Sequence, residues 1–400
     1  LLLRSMTGSE RLGRLFEYRL ELLSADIGIQ HEDLLGQPMT VRLGLPDDAA
    51  RFFNGYVNRF AQVGFEGAYA VYQASLVPWL WFLTRTADCR IFKEKTVPEI
   101  VKEVFREHGY TDFQESLSGA YRHWVYCVQY RETDFNFVSR LLEQEGIYYY
   151  FKHEDGKHTL VLSDSYSAHD PTPGYEEVPY YPPDQTSLRE RDHLSDWSVV
   201  QAVQPGTFCH TDFDFTAPKK DLLAKRSSPK AHPLAEFEVY DYPGEYLETG
   251  DGDHYARLRL EERHAEYETV RAEGNARGLT TGGLFTLTNY RREDQNREYL
   301  IVSGSYQLHS DPFGSAAEAP AAPVYRCRIT AMDAQVPYRP ARTTPRPVVQ
   351  GPQTAIVVGK AGEEIWTDQY GRVRVQFPWD RYGGSDEKSS CWVRVAQAWA

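Results

Sequence analysis

Short runs in which apolar residues alternate with polar ones recur along most of this chain, and they constrain its fold more than any other feature. Leu15–Leu23 (LFEYRLELL), Tyr69–Val77, Tyr121–Tyr130, Gly146–Phe151, Thr159–Leu162, Leu284–Asn289, Leu300–Leu308 and Val324–Ala331 all read as strands. Period-two alternation lays one face of each strand on a core and turns the other to water. Helical spacing is confined to three short stretches. In the first, Thr96-Val97-Pro98-Glu99 is a capping box with proline in the first turn. Ile100, Val101, Val104 and Phe105 then share a face, and Gly109 ends the helix. In the second, Phe135, Val138, Leu141 and Leu142 repeat at helical spacing, Thr133 or Asp134 caps, and Gly146 stops it. The third runs from about Asp253 to His264 on Tyr255 and Leu258. Many short strands with few short helices predict a mainly-β fold, in barrels or sandwiches. No repeat of solenoid length is visible.

Composition narrows the function. At 400 residues the chain has room for more than one domain. Aromatic side chains make up 14%, which suits half-buried pleated surfaces and interfaces. A formal net charge of −13 argues against nucleic acid and against an anionic membrane surface. The longest apolar run, Leu76–Leu83 (LVPWLWFL), falls far short of the ~20 residues a spanning helix needs, so no stable membrane insertion is expected. The opening LLLRSMTGSE has no signal-peptide character and does not begin with Met, so residues are expected before Leu1. Cys89, Cys127, Cys209, Cys327 and Cys391 stand singly, a pattern of reduced buried thiols in a reducing cytoplasm.

Prolines punctuate the chain. They cluster at 171–183 and 337–352, and 311–323 is an Ala/Pro/Gly loop. The 337–352 stretch reads as an extended linker to a C-terminal piece. Charge changes there too: residues 341–400 hold 8 basic and 6 acidic groups, against a strongly acidic remainder. In the C-terminal piece, Ala355–Val358 reads as a strand, Glu364–Thr367 and Arg372–Phe377 flank an Asp368–Gly371 hairpin turn, and Cys391–Val395 alternates again. That suits a small barrel of the OB type, incomplete at Ala400.

Candidate chemistry dissolves on inspection. Gly351–Lys360 lacks the P-loop pattern, because Ala361 stands where Ser or Thr is required; GxGxxG, HExxH and GxSxG are absent. Cys209, His210, Asp212 and Asp214 would offer metal ligands if 210, 212 and 214 shared a strand face, although a solvated face is the simpler reading. Asp251-Gly252-Asp253-His254 reads as a helix N-terminus. Glu363/Glu364 and Asp368/Asp380 read as surface carboxylates and not as a glycosidase pair. Lys219, Lys220, Lys225, Arg226 and Lys230 form a basic loop, soon followed by acidic residues. What remains is aromatic: Trp366, Tyr370, Trp379, Tyr382, Trp392 and Trp399 crowd the C-terminal end. A small barrel cannot hide so many large rings, so Trp366, Tyr370, Trp379 and Trp392 are the expected interface aromatics.

Phe53–Val57 (FNGYV), Gln129–Phe151 (QYRETDFNFVSRLLEQEGIYYYF), Glu238–Gly244 (EVYDYPG), Asn296–Val302 (NREYLIV), Asp368–Arg381 (DQYGRVRVQFPWDR) and Cys391–Ala400 (CWVRVAQAWA) resemble the VgrG family. These are trimeric spike proteins of type VI secretion systems, related to phage tail hubs. The resemblance implies two tail-hub-like β-barrels with helical insertions, then an OB-like domain, then a needle. On that plan residues 1–90 begin the first barrel, 91–170 form a helix-containing insertion, 171–336 the second barrel region, 337–352 the linker and 353–400 the incomplete OB-like domain. It also implies a homotrimer docking on the tube protein Hcp, a PAAR-repeat protein at the needle tip, and effectors or their adaptors carried on the spike. Assembly would be cytoplasmic, followed by secretion. The chain is expected to be structural, with no cofactor and no catalytic residues. Rival readings are a contractile phage tail hub, a spike whose enzymatic domain follows Ala400, and a glycan binder using Trp366 and Trp379.

Overall fold

A computed structural model describes residues 1–184, 191–310 and 325–396, and the Ala/Pro/Gly loop and Trp399 lie outside them. In chain order the elements are β1 (Leu2–Arg11), β2 (Glu17–Ser24), β3 (Pro38–Gly44), β4 (Ala50–Glu66), β5 (Tyr69–Val77), β6 (Ala87–Phe92) and α1 (Val97–Glu107). There follow β7 (Phe113–Ser116), β8 (Cys127–Thr133), α2 (Asp134–Glu145), β9 (Tyr148–Glu154), β10 (Lys157–Ser163), β11 (Glu177–Pro179) and β12 (Leu194–Gln201). After these come β13 (Thr207–His210), β14 (Ala224–Ser227), β15 (Glu238–Asp241), α3 (Thr249–His264), β16 (Glu268–Gly274) and β17 (Leu284–Thr288). The last are β18 (Glu298–His309), β19 (Tyr325–Asp333), β20 (Ile356–Val358) and β21 (Arg374–Gln376). The fold is mainly β. The chain divides into two compact units: Leu1–Trp79 with Asp112–Gly119 and Gly146–Ala341, and Leu80–Thr111 with Ala120–Glu145 and Arg342–Ala400.

The first unit is built on one eleven-stranded sheet, whose path runs β12-β16-β19-β18-β1-β2-β5-β4-β3, with β17 on β18 and β11 on β17. Strand β1 is the seam. It pairs antiparallel with β2 on one side and with β18, some 300 residues later, on the other, so Met6 sits opposite both Leu20 and Leu308. All three are buried, as period-two alternation requires of a one-sided core. Trp197, Phe285, Leu287, Tyr299, Ile301 and Ile329 form one core cluster of this sheet. A second cluster joins Leu12, Tyr148, Tyr150, Val161, Leu300 and Met332. Two smaller sheets belong to the same unit, β7-β10-β9 and β14-β13-β15. Between β9 and β10 the hairpin turns at Asp155-Gly156, where Gly156 takes φ +74°, a region glycine enters without a Cβ clash.

In the second unit the expected capping box of α1 is present: Thr96 N donates to Glu99 Oε2 at 2.8 Å and Glu99 N to Thr96 Oγ1 at 3.4 Å. Ile100, Val101, Val104 and Phe105 are fully buried. Helix α2 starts at Asp134, and Thr133 Oγ1 accepts from Asn136 N at 3.1 Å. Its buried face carries Phe137, Val138, Leu141 and Leu142; Phe135, expected there, is only half-buried, since the stripe starts one register later. Strands β6 and β8 pair antiparallel, and β20 pairs antiparallel with β21.

Four other expectations change. Tyr121–Tyr130 becomes strand only from Cys127, where the chain first runs beside β6. Helix α3 begins at Thr249, four residues before the expected start, with Asp251 in its first turn. Glu364–Thr367 forms no strand, and β21 pairs with β20 in place of it, although the Asp368–Gly371 turn does form, with Gly371 at φ +67°. Cys391–Val395 forms only the isolated bridge of Val393 with Val373. In each case the local pattern was right for a strand or helix, but backbone partners determine where a strand exists.

Candidate interaction surfaces

Among the described residues, no group of three or more His, Cys, Asp or Glu is placed to hold a metal ion. The premise of the Cys209–Asp214 reading fails on geometry, because β13 ends at His210 and the later positions leave the strand face. Three of the four candidate ligands already have a partner. His210 Nε2 lies 2.8 Å from Gly252 O, Asp212 Oδ2 accepts from Glu245 N at 2.5 Å, and Asp214 Oδ1 accepts from Thr216 N at 2.8 Å. The basic loop is likewise engaged in part: Lys220 reaches Glu248 at 3.2 Å and Lys225 reaches Glu238 at 2.7 Å. Burial pushes the Cys127 thiol up to about 12, the opposite of what a nucleophile requires. A cavity of about 330 Å³ in the first unit is lined by Arg51, Phe52, Tyr150, Lys152, Asp170 and Thr281 among others. The side chains that line it include no thiol, and Lys152 lies 3.7 Å from Asp170.

Buried charge in the first unit is spent on the fold. The Arg51 guanidinium lies between the rings of Phe53 and Tyr306, at 4.4 and 4.2 Å. Its Nη1 donates to Leu279 O at 2.7 Å and to the Tyr325 hydroxyl at 3.1 Å. His158 accepts at Nε2 from Trp79 N (3.0 Å), so its Nδ1–H donates to Asn54 Oδ1 (2.8 Å). Burial, aided by the neighbouring His153, lowers this imidazole to about 3 and keeps it neutral. His169, between the Tyr148 hydroxyl and Gly282 O, is lowered by burial to about 4.

The C-terminal aromatics fall into separate groups. Trp366 and Trp392 pack with their rings tilted by 36° at 4.7 Å between centroids, and the Arg374 guanidinium covers Trp392 at 4.7 Å. Trp379 stacks on Phe377 at 5.0 Å, meets Tyr130 edge-on at 5.4 Å, and donates from Nε1 to Gln353 Oε1 at 3.0 Å. Tyr370 lies 5.3 Å from the Arg372 guanidinium and is exposed. None of the four is fully buried. Around them Val348, Ile356, Val357 and Ile365 are exposed, Ile365 at 81%. Sequence reasoning missed these aliphatics, whose signal was that β-branched residues stand in a segment too short for a core. It missed Asp88 as well. Its carboxyl would be raised by partial burial, but hydrogen bonds from Tyr382 (2.8 Å), the Cys89 amide and Arg381 (2.7 Å) hold it below its ordinary value.

A sheet-built body, neutralised internal charge and exposed apolar residues fit a scaffold that docks. A family profile described as the phage tail baseplate hub (GPD) matches residues 9–312. The chain belongs to the phage tail baseplate hub family. The chain is also 52% identical, over 398 residues and all of its length, to the type VI secretion spike protein VgrG1c of Pseudomonas aeruginosa. It is 51% identical over 400 residues to VgrG1a of the same bacterium. It covers 54% and 62% of those two proteins, so it spans little more than half the length of the relatives it matches. Among solved structures it is similar to an E. coli type VI secretion component described as resembling the T4 tail proteins gp27 and gp5. That likeness has a TM-score of 0.69 at 22% identity and covers 94% of this chain and 85% of the other. The chain therefore matches part of the length of structural spike components, and its mainly-β class is the one the sequence predicts.

Proposed function

We propose that the chain is the hub portion of a type VI secretion spike. It assembles as a homotrimer in the bacterial cytoplasm, docks on the tube protein Hcp, and supports a needle that carries a PAAR-repeat protein at its tip. Contraction of the machine then drives the assembly outward through a target envelope, with effectors or their adaptors carried on it. On this reading the tail-hub-like barrels lie in residues 1–90 and 171–336, and residues 353–400 belong to an OB-like domain. Trp366, Tyr370, Trp379 and Trp392 would form part of its interfaces, and the protein performs no chemistry.

The single observation carrying the reading is full-length identity of about half to spike proteins, over a chain that also matches the hub profile. Mechanically, a threefold head-to-tail contact closes a ring without leaving an open surface. Light scattering of the purified chain at about 10 µM, with and without Hcp, is the direct test. Trimers that bind Hcp rings support the proposal; monomers that ignore Hcp in both the isolated hub and the full-length protein would overturn it. The hub profile favours a second reading, the hub of a contractile phage tail. Binding to a phage tube protein in preference to Hcp would select it.

A further inference from the structure

Lys220 and Lys225 of the basic loop have carboxylate partners, but Arg226 and Lys230 make no ion pair among the described residues. Lys230 instead lies 5.4 Å from the ring of Tyr267. The register of β14 on β13 explains the difference between the neighbours. Arg226 stands opposite Phe208, which belongs to the core cluster with Tyr255 and Leu258 of α3, so it shares the face that α3 covers. Lys225 is one step out of phase and meets Glu238 at 2.7 Å on the other face. Arg226 and Lys230 border a cleft of about 220 Å³ between the end of β14, α3 and the segment after β19. From α3, Arg257, Leu260, Glu261 and His264 line it at helical spacing. Its charge is unbalanced. The lining holds three cations, Arg226, Lys230 and Arg257, and a single carboxylate, Glu261. That carboxylate is held by Arg339 from outside the lining at 2.8 Å, with Arg257 at 3.9 Å. The surplus is felt nearby: after burial, the Lys230 ammonium is the next cause that holds His264 below its ordinary value, and Arg257 acts likewise on His254. Leu260, Val336 and Pro337 give the cleft apolar walls beside these cations.

We propose that this cleft receives an acidic segment of another polypeptide, in which carboxylate side chains adjoin apolar ones. The planar guanidinium groups of Arg226 and Arg257 would hold carboxylates by paired hydrogen bonds, and Lys230 would add a point charge. An apolar neighbour in the segment would cover Leu260 and Val336. Charge complementarity selects an acidic occupant, because the cations are accessible and the one lining carboxylate is already engaged. The apolar walls select a polypeptide over a free inorganic anion, which would leave them wet.

The test uses the whole 400-residue chain and short labelled peptides, read by fluorescence anisotropy. One peptide combines Glu with Leu, a second Lys with Leu, and a third Glu with Ser. The Glu-Leu peptide is expected to bind, the Lys-Leu peptide to fail, and the Glu-Ser peptide to bind more weakly. Arg226→Gln combined with Lys230→Gln should weaken the Glu-Leu peptide at least about fivefold, with the unfolding temperature unchanged because neither side chain holds an ion pair. If the Gln pair does lower that temperature, Arg226→Lys with Lys230→Arg keeps the charge and must bind within about threefold of the unaltered chain. Raising salt from about 50 to about 300 mM should weaken binding further. Equal binding of the Glu-Leu and Lys-Leu peptides, or indifference to the Gln pair, refutes the site. Equal binding of the Glu-Ser peptide, or displacement of the Glu-Leu peptide by inorganic phosphate at an equal concentration, refutes a polypeptide occupant. Self-association of the chain that the Gln pair abolishes refutes the choice of partner, since acidic segments of a second copy would then fill the cleft.

Discussion

The sheet-bearing unit and the C-terminal stretch 342–396 use similar residues in opposite ways. In the first, the aromatic and branched side chains of β1, β2, β5, β17, β18 and β19 close over one another; Met6, Tyr18, Leu76, Leu287, Tyr299 and Ile301 are at most 1% exposed. In the second, Val375 is the only fully buried hydrophobic residue among those described, while Ile356, Val357 and Ile365 face solvent. The stretch is held by polar bonds: Glu143 accepts from Thr343 N, Thr344 N and the Thr344 hydroxyl at 2.8–3.0 Å, and Asn136 Nδ2 donates to Pro345 O at 3.1 Å. Apolar burial is the dominant favourable term in folding, and directional bonds contribute little net stability beside it. One region is therefore stable by its own packing. The other is ordered by polar tethers and leaves apolar side chains exposed.

Large-to-small substitution tests that contrast most sharply. Phe285→Ala, in the sheet core, should cost about 3–5 kcal/mol in urea unfolding, lost transfer energy plus an unfilled cavity. A loss below about 1 kcal/mol would mean the core is loose and the contrast false. Acid should act next, through the buried histidines of the first unit. His158 and His169 are lowered from 6.5 to about 3 and about 4, so the unfolded chain takes up protons that the folded chain refuses. Their contribution is complete above pH 6.5 and falls by about 1.4 kcal/mol per pH unit for each imidazole as pH drops toward 4. His169→Asn should flatten that slope, and a stability profile level from pH 6.5 to 4 in the unaltered protein would contradict it.

Removing a tether is the smaller perturbation. Glu143→Ala should cost about 1–3 kcal/mol locally, seen as faster amide exchange over residues 342–353 while β18 and β19 stay protected. Exchange accelerating equally in both regions would show that they are not separately held. The smallest effect is expected at Ile365→Ser, within about 0.5 kcal/mol in unfolding because the side chain is already 81% exposed. If that change instead destabilises the chain as much as Phe285→Ala, the C-terminal stretch has a core after all.

Much of the secondary structure in both units was legible because its signals are local. The Thr96 capping box, the Gly109 and Gly146 stops, and strands such as Tyr69–Val77 depend on neighbours a few residues away, and they appear where the sequence places them. The Glu364–Thr367 strand does not form, and β13 ends at His210 short of Asp212 and Asp214, for one shared reason: alternation says which face a strand would show without saying that a neighbour exists to make it a strand. The C-terminal aromatics form a cluster in sequence, but their sorting into a tilted Trp366/Trp392 pair and a Trp379/Phe377/Tyr130 group was not foreseeable.

By itself, then, the sequence determined the mainly-β class, the three helices, the acidic charge and the kinship with spike proteins, because propensity, periodicity and motif are properties of short windows. Tertiary structure alone decided that β1 stitches β2 to β18 and that β21 joins β20. Among the described residues it also decided that β15 pairs only with β13, while Phe237, Tyr240 and Tyr242 stay exposed. Those outcomes rest on which backbone groups find partners, from nearby in the chain for β20 and β21 to some 300 residues away for β1 and β18, a competition settled by the whole core at once.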